Sequence, residues 1–238
     1  MLRRVIMLSL VLSCLTHGVR GHAEENADVA AFMHSAMASL RTAASYGRTG
    51  NVGLAQIELD DARIAWARLS RLAERSNAPY SAKSFAELIA TGNDRLKQAD
   101  EALTAGDGAR AAAAIAALRR SLHALRQDAG VVELSDCVFE LSPVMDALRN
   151  AAARFAAGKA EPGEVVQAGT ALRDRLQRCN GLAAPDVARQ AEFRRLIDGA
   201  TTSAGEIGRA ARESDAGLVH RYEIELQSFV NLLDFRFG

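Results

Sequence analysis

The sequence predicts an all-α protein of two tandem up-down-up-down four-helix bundles, spanning residues 26–130 and 131–238. Three observations carry this. No stretch alternates apolar and polar residues with period two, while apolar residues recur at the three-to-four spacing of helices. Alanine and leucine are abundant in the long runs, and Pro and Gly are sparse inside them. The chain also repeats itself at a shift of 108 positions. Met37, Leu40, Arg41, Ala43 and Ala44 fall on Met145, Leu148, Arg149, Ala151 and Ala152, and Gly50 on Gly158. Phe85, Leu88 and Ile89 fall on Phe193, Leu196 and Ile197, and Asp107, Leu118 and Leu125 on Asp215, Leu226 and Leu233. A repeat of this length means one supersecondary unit used twice.

Residues 1–23 read as a signal peptide. Arg3 and Arg4 precede a short apolar run from Val5 to Leu15, and Gly21-His22-Ala23 supplies a small-residue cleavage site. The run is too short to span a bilayer. A minor alternative is a lipoprotein anchored at Cys14. Either way the expected address is periplasmic or secreted. Removing the segment leaves 26 basic against 29 acidic residues, a net charge of −3. That balance argues against a nucleic-acid partner, which needs a basic face. No later run is apolar and long enough to be a transmembrane segment.

In the first unit helices are expected near 26–47, 53–76, 81–105 and 107–128. Helix one presents Val29, Phe32, Met33, Ala36, Leu40 and Ala43 as a core-facing stripe. Asn77-Ala78-Pro79 separates helices two and three. Gly106-Asp107 provides a stop followed by an N-cap, so helix four starts there. Its stripe is Ala111, Ile115, Leu118, Leu122 and Leu125. Gly130 ends the unit. In the second unit helices are expected near 133–157, 163–180, 185–212 and 215–235. Ala184-Pro185-Asp186 and Ser214-Asp215 are the corresponding breaks. Short loops and one stripe per helix give antiparallel neighbours.

Cys137 and Cys179 are the cysteines outside the signal segment. In an oxidising compartment they are expected to form a disulfide. One lies at the start of the first helix of its unit and the other at the end of the second. The turn at 158–163 lies about midway, so antiparallel helices bring both to one end.

The first unit resembles the cytochrome b562 and cytochrome c′ superfamily of periplasmic four-helix haem bundles. The likeness rests on Ala27-Asp28-Val29-Ala30-Ala31-Phe32-Met33 and on the last helix, Gly106-Asp107 through Leu118-Arg119-Arg120-Ser121-Leu122-His123. It covers about 100 residues and extends faintly to the second unit. The resemblance implies a methionine iron ligand at Met33. The ligand on the last helix, counted from Leu118, falls on Arg126, and a guanidinium has no lone pair to give. His123 has the right height but shares a flank with Arg119 and Arg120. In the second unit the positions of Met33 and His123 hold Leu141 and Asn231, and no C-x-x-C-H attachment sequence occurs. The expectation is therefore a haem-free protein with no cofactor. The alternative is a b-type haem electron-transfer protein that uses Met33 and His123 in the first bundle only.

Other candidates are read as structure. Met33, Met37 and His34 form a weak copper alternative, but His34 points off the stripe. Glu58, Asp60 and Asp61 lack the E-x-x-H partners of a di-metal site and read as a solvated face. His220 reads as exposed. No Ser-His-Asp or Cys-His arrangement, phosphate loop or zinc spacing is present. The expected function is a non-enzymatic binding or interaction protein whose partner is a periplasmic protein or a small ligand.

Overall fold

The computed structural model describes residues 28–73 and 80–238. The expected signal peptide with Cys14, the expected start of helix one at 26–27, and the segment 74–79 with the expected end of helix two and the Asn77-Ala78-Pro79 break lie outside the described residues. The described chain is all-helical, with no strand. It divides into two compact units between Val131 and Val132.

Unit 1 holds α1 (28–48), α2 (Val52–Ala73), α3 (Ala82–Thr104) and α4 (Gly108–Asp128). Helices α2, α3 and α4 each begin where a side chain satisfies a free N–H group of the first turn. Ser81 accepts from Ser84 N at 3.1 Å, and Asp107 accepts from Arg110 N at 2.9 Å. The apolar stripes of all four helices meet in one core. Helices α2 and α3 run antiparallel. Near one end Gln56 Nε2 donates to Asp100 Oδ1 at 2.9 Å, and further along Trp66 of α2 packs against Gly92 of α3. Where α1 ends and α4 begins, Gly47 and Gly108 pass so closely that a Cβ on either would meet the other's carbonyl oxygen at 2.7 or 2.5 Å.

Unit 2 holds α5 (Leu134–Phe139), α6 (Leu141–Ala156), α7 (Pro162–Leu182), α8 (Pro185–Ala188), α9 (Ala191–Arg212) and α10 (Ala216–Phe237). Helices α6, α7, α9 and α10 form a closed ring of neighbours around a second core. Two expected helices are each broken once. The run over 133–157 breaks at Glu140, because Pro143 has no N–H to donate to the Phe139 carbonyl four residues back. The run over 185–212 breaks at Arg189-Gln190, after a single turn begun by Pro185.

Cys137 of α5 and Cys179 of α7 are joined by a disulfide with Cα atoms 5.4 Å apart. Toward the far end of α6 and the start of α7, Arg154 and Glu164 pair at 3.0 Å. These two links show that α5–α6 and α7 are antiparallel. Arg175 also pairs with Glu140, at the α5–α6 break.

The turns repeat with the sequence. Asn51 N donates to Tyr46 O at 2.9 Å, and 108 residues later Lys159 N donates to Arg154 O at 2.8 Å. Asp107 N donates to Ala102 O at 2.8 Å, and Asp215 N to Ala210 O at 3.0 Å. Asp215, like Asp107, caps its helix, accepting from Leu218 N at 2.9 Å. The residue before each cap has a left-handed backbone. It is glycine at 106 (φ +75°) and serine at 214 (φ +58°).

Candidate functional site

Met33 lies on the inner face of α1 and is almost fully buried. Its thioether sulfur is in use, because the Tyr80 hydroxyl donates to Met33 Sδ at 3.7 Å. Tyr80 in turn tilts against Phe85, with ring centroids 5.7 Å apart. Met37, one turn on, is buried too, whereas His34 is exposed. The three proposed copper ligands are therefore not brought together: two methionines face the core and the imidazole faces solvent.

On α4, His123 is half-buried. Arg126, where the sequence resemblance would put the second ligand, is buried, and so is Arg119 one heptad earlier. Neither guanidinium is without a partner. The sequence places Arg119 on a polar flank with His123 and Arg120. Only Arg120 is exposed there. Counting positions on one helix finds the centre of its stripe, but not how far its neighbours wrap around it. In unit 2 the corresponding Leu141 is core, and Asn231 is exposed and accepts from Gln227 Nε2 at 3.0 Å.

The carboxylates of α2 are arranged as a surface network. Asp60 pairs with Arg63 at 3.6 Å, and Arg63 reaches Asp100 at 3.5 Å. Partial burial and the neighbouring charge of Asp61 raise the pKa of Glu58 from its ordinary value. His220 is exposed, with Nδ1 at 3.6 Å from Glu223. Among the described residues no three His, Cys, Asp or Glu side chains converge as a metal site. No described helix is long and apolar enough to cross a membrane. An open groove of about 380 Å³ runs between α3 and α4, lined by Arg95, Gln98, Glu101, Arg110, Ala113 and Ala114. Arg95 there donates to Gln98 at 2.9 Å.

One surface feature escapes a search for core stripes. Leu54, Ile57 and Ile64 of α2 are 40%, 59% and 55% exposed, and they lie on the face turned away from Leu59, Trp66 and Leu69. The signal in the sequence is a second run of three-to-four spacing on a helix that already has one. Comparison with protein-family models, with curated proteins and with solved structures returns no match for this chain.

Proposed function

We propose that this chain is a non-enzymatic interaction protein made of two tandem four-helix bundles, exported to the periplasm, whose cytochrome b562/c′-like haem ligation has been lost. The observation that carries the reading is the state of the ligand positions. The inward methionine of helix one, Met33, has its sulfur engaged by the Tyr80 hydroxyl inside a packed core. The position that the sequence resemblance gives to the second ligand, on the last helix, holds the buried Arg126, whose guanidinium has no free lone pair at any accessible pH. These residues do not fit an iron centre. The matched turns at 50/158 and 106/214 support a duplicated bundle, since equivalent hydrogen bonds recur at the shift seen in the sequence.

A second reading, b-type haem held by Met33 and His123 in the first bundle, draws on one fact: His123 is half-buried and not fully solvated. Titration with hemin separates the two. The expected result is a Soret band that stays that of free hemin and a melting temperature unchanged by hemin. Tight one-to-one binding that Met33→Ala or His123→Ala abolishes would select the cytochrome reading.

A further inference from the structure

Among the described residues six large aliphatic side chains are exposed, and three of them are Leu54, Ile57 and Ile64 on the outer face of α2. They are not scattered. The exposed positions along that face are Leu54, Ile57, Asp61, Ile64, Arg68 and Arg71. The spacing is three, four, three, four, three, which is the seam of a two-helix pairing. The helix spends its opposite face, through Leu59, Trp66 and Leu69, on the core of its own unit.

The charges along this face choose the partner. Acidic residues stand in its first half, at Asp60 and Asp61, and basic residues in its second, at Arg68 and Arg71. A second copy laid parallel would set Asp61 against Asp61 and Arg68 against Arg68. A second copy laid antiparallel, with the two-fold axis between Asp61 and Ile64, sets Asp61 against Ile64, Ile57 against Arg68 and Leu54 against Arg71. The aliphatic stems of the two arginines then cover the exposed leucine and isoleucine. Each Arg68 guanidinium comes within one helical turn of Asp61 in the opposite copy. The face is thus complementary to itself, as a two-fold interface must be. Arg68 is held at this edge by its own chain, with its guanidinium 5.6 Å from the centre of the Phe32 ring.

The geometry points to a homodimer formed by antiparallel pairing of α2 with α2 of a second copy, the occupant of the Leu54–Ile57–Ile64 face. One helix seam buries on the order of 1,000 Å² in total, the low end of specific interfaces. The association is therefore reversible and weak. It is independent of whether either bundle binds haem.

Sedimentation equilibrium of the whole protein at tens of micromolar tests it. Wild type is expected to show a monomer–dimer equilibrium. Ile57→Glu and Ile64→Glu each change an already exposed side chain, so circular dichroism and melting temperature should hold while the dimer is lost. Asp61→Arg and Arg68→Asp should each weaken association at least about tenfold by opposing like charges. The double variant Asp61→Arg/Arg68→Asp, with the charges exchanged, should recover it. A monomeric wild type at that concentration overturns the proposal. So does a dimer indifferent to Ile57→Glu and Ile64→Glu, or one in which the exchanged pair gives no recovery.

Discussion

Gly92 and Ser214 show how much a single Cβ decides. A Cβ on Gly92 would lie 1.9 Å from Cζ2 of Trp66, so this position in α3 is glycine because the indole of α2 occupies the space. Overpacking of this kind costs about 1–3 kcal/mol. Gly92→Ala should lower the stability of unit 1 by that amount, measured by denaturant unfolding. Trp66→Phe in the same chain should return part of the loss, a coupling that a double-mutant cycle reads directly. Ser214 is the opposite case. It holds a left-handed backbone that its counterpart Gly106 adopts without a Cβ penalty. Ser214→Gly should therefore stabilise unit 2 by roughly 0.5–1 kcal/mol. An unchanged or lower unfolding midpoint would count against strain at that turn.

Glu58 supplies a pH dependence at the same scale. Partial burial and Asp61 raise its folded pKa above the unfolded value. The folded state then binds its proton more readily, so stability falls as pH rises from the ordinary carboxylate range through the raised folded value. Glu58→Gln should melt slightly higher than wild type at neutral pH. The gap should close as pH falls below the ordinary carboxylate range. A gap that persists in acid would mean that the difference is not electrostatic.

Among the elements, α5 to α7 are tied by the Cys137–Cys179 disulfide, 42 positions apart in sequence. Closing a loop of that size removes unfolded-state entropy worth roughly 3–4 kcal/mol. The bond and every residue within its loop lie in unit 2, while Trp66, the protein's single tryptophan, lies in unit 1. Reduction, or Cys137→Ala with Cys179→Ala, should lower the midpoint of unfolding followed by hydrogen exchange in α6 and α7. The midpoint reported by Trp66 fluorescence should stay in place. The pairing itself was legible in the sequence, because antiparallel helices joined by a short turn bring a first-turn and a last-turn cysteine to one end. The helix breaks at Glu140 and Arg189-Gln190 were less so. Pro143 is the third residue of α6, and a proline there fits either the first turn of a new helix or a kink in a continuous one, so the sequence alone does not choose between them.

For the whole molecule, the shift of 108 residues ties unit to unit. Met37 and Met145, Leu40 and Leu148, Phe85 and Phe193, and Leu118 and Leu226 are all buried at matching positions. Residues 28–128 should superpose on 134–237 with Met37 over Met145 and Phe85 over Phe193, which crystallography checks. One continuous core running through both halves would refute the duplication.

The sequence by itself determined the helical class, the turns, the cysteine pair and most core positions. Each follows from local rules: period, caps, and the short list of residues that tolerate a left-handed backbone. Even the engaged state of Met33 was half visible, since the apolar stripe placed it inward. Only the tertiary structure decided what its sulfur meets, because Tyr80 is 47 residues away. It likewise decided that Arg119 and Arg126 are buried, and that Leu54, Ile57 and Ile64 remain in water. Burial is a property of what other elements cover. A helix stripe states only which side chains share a face, and two stripes on α2 look alike until the core takes one of them.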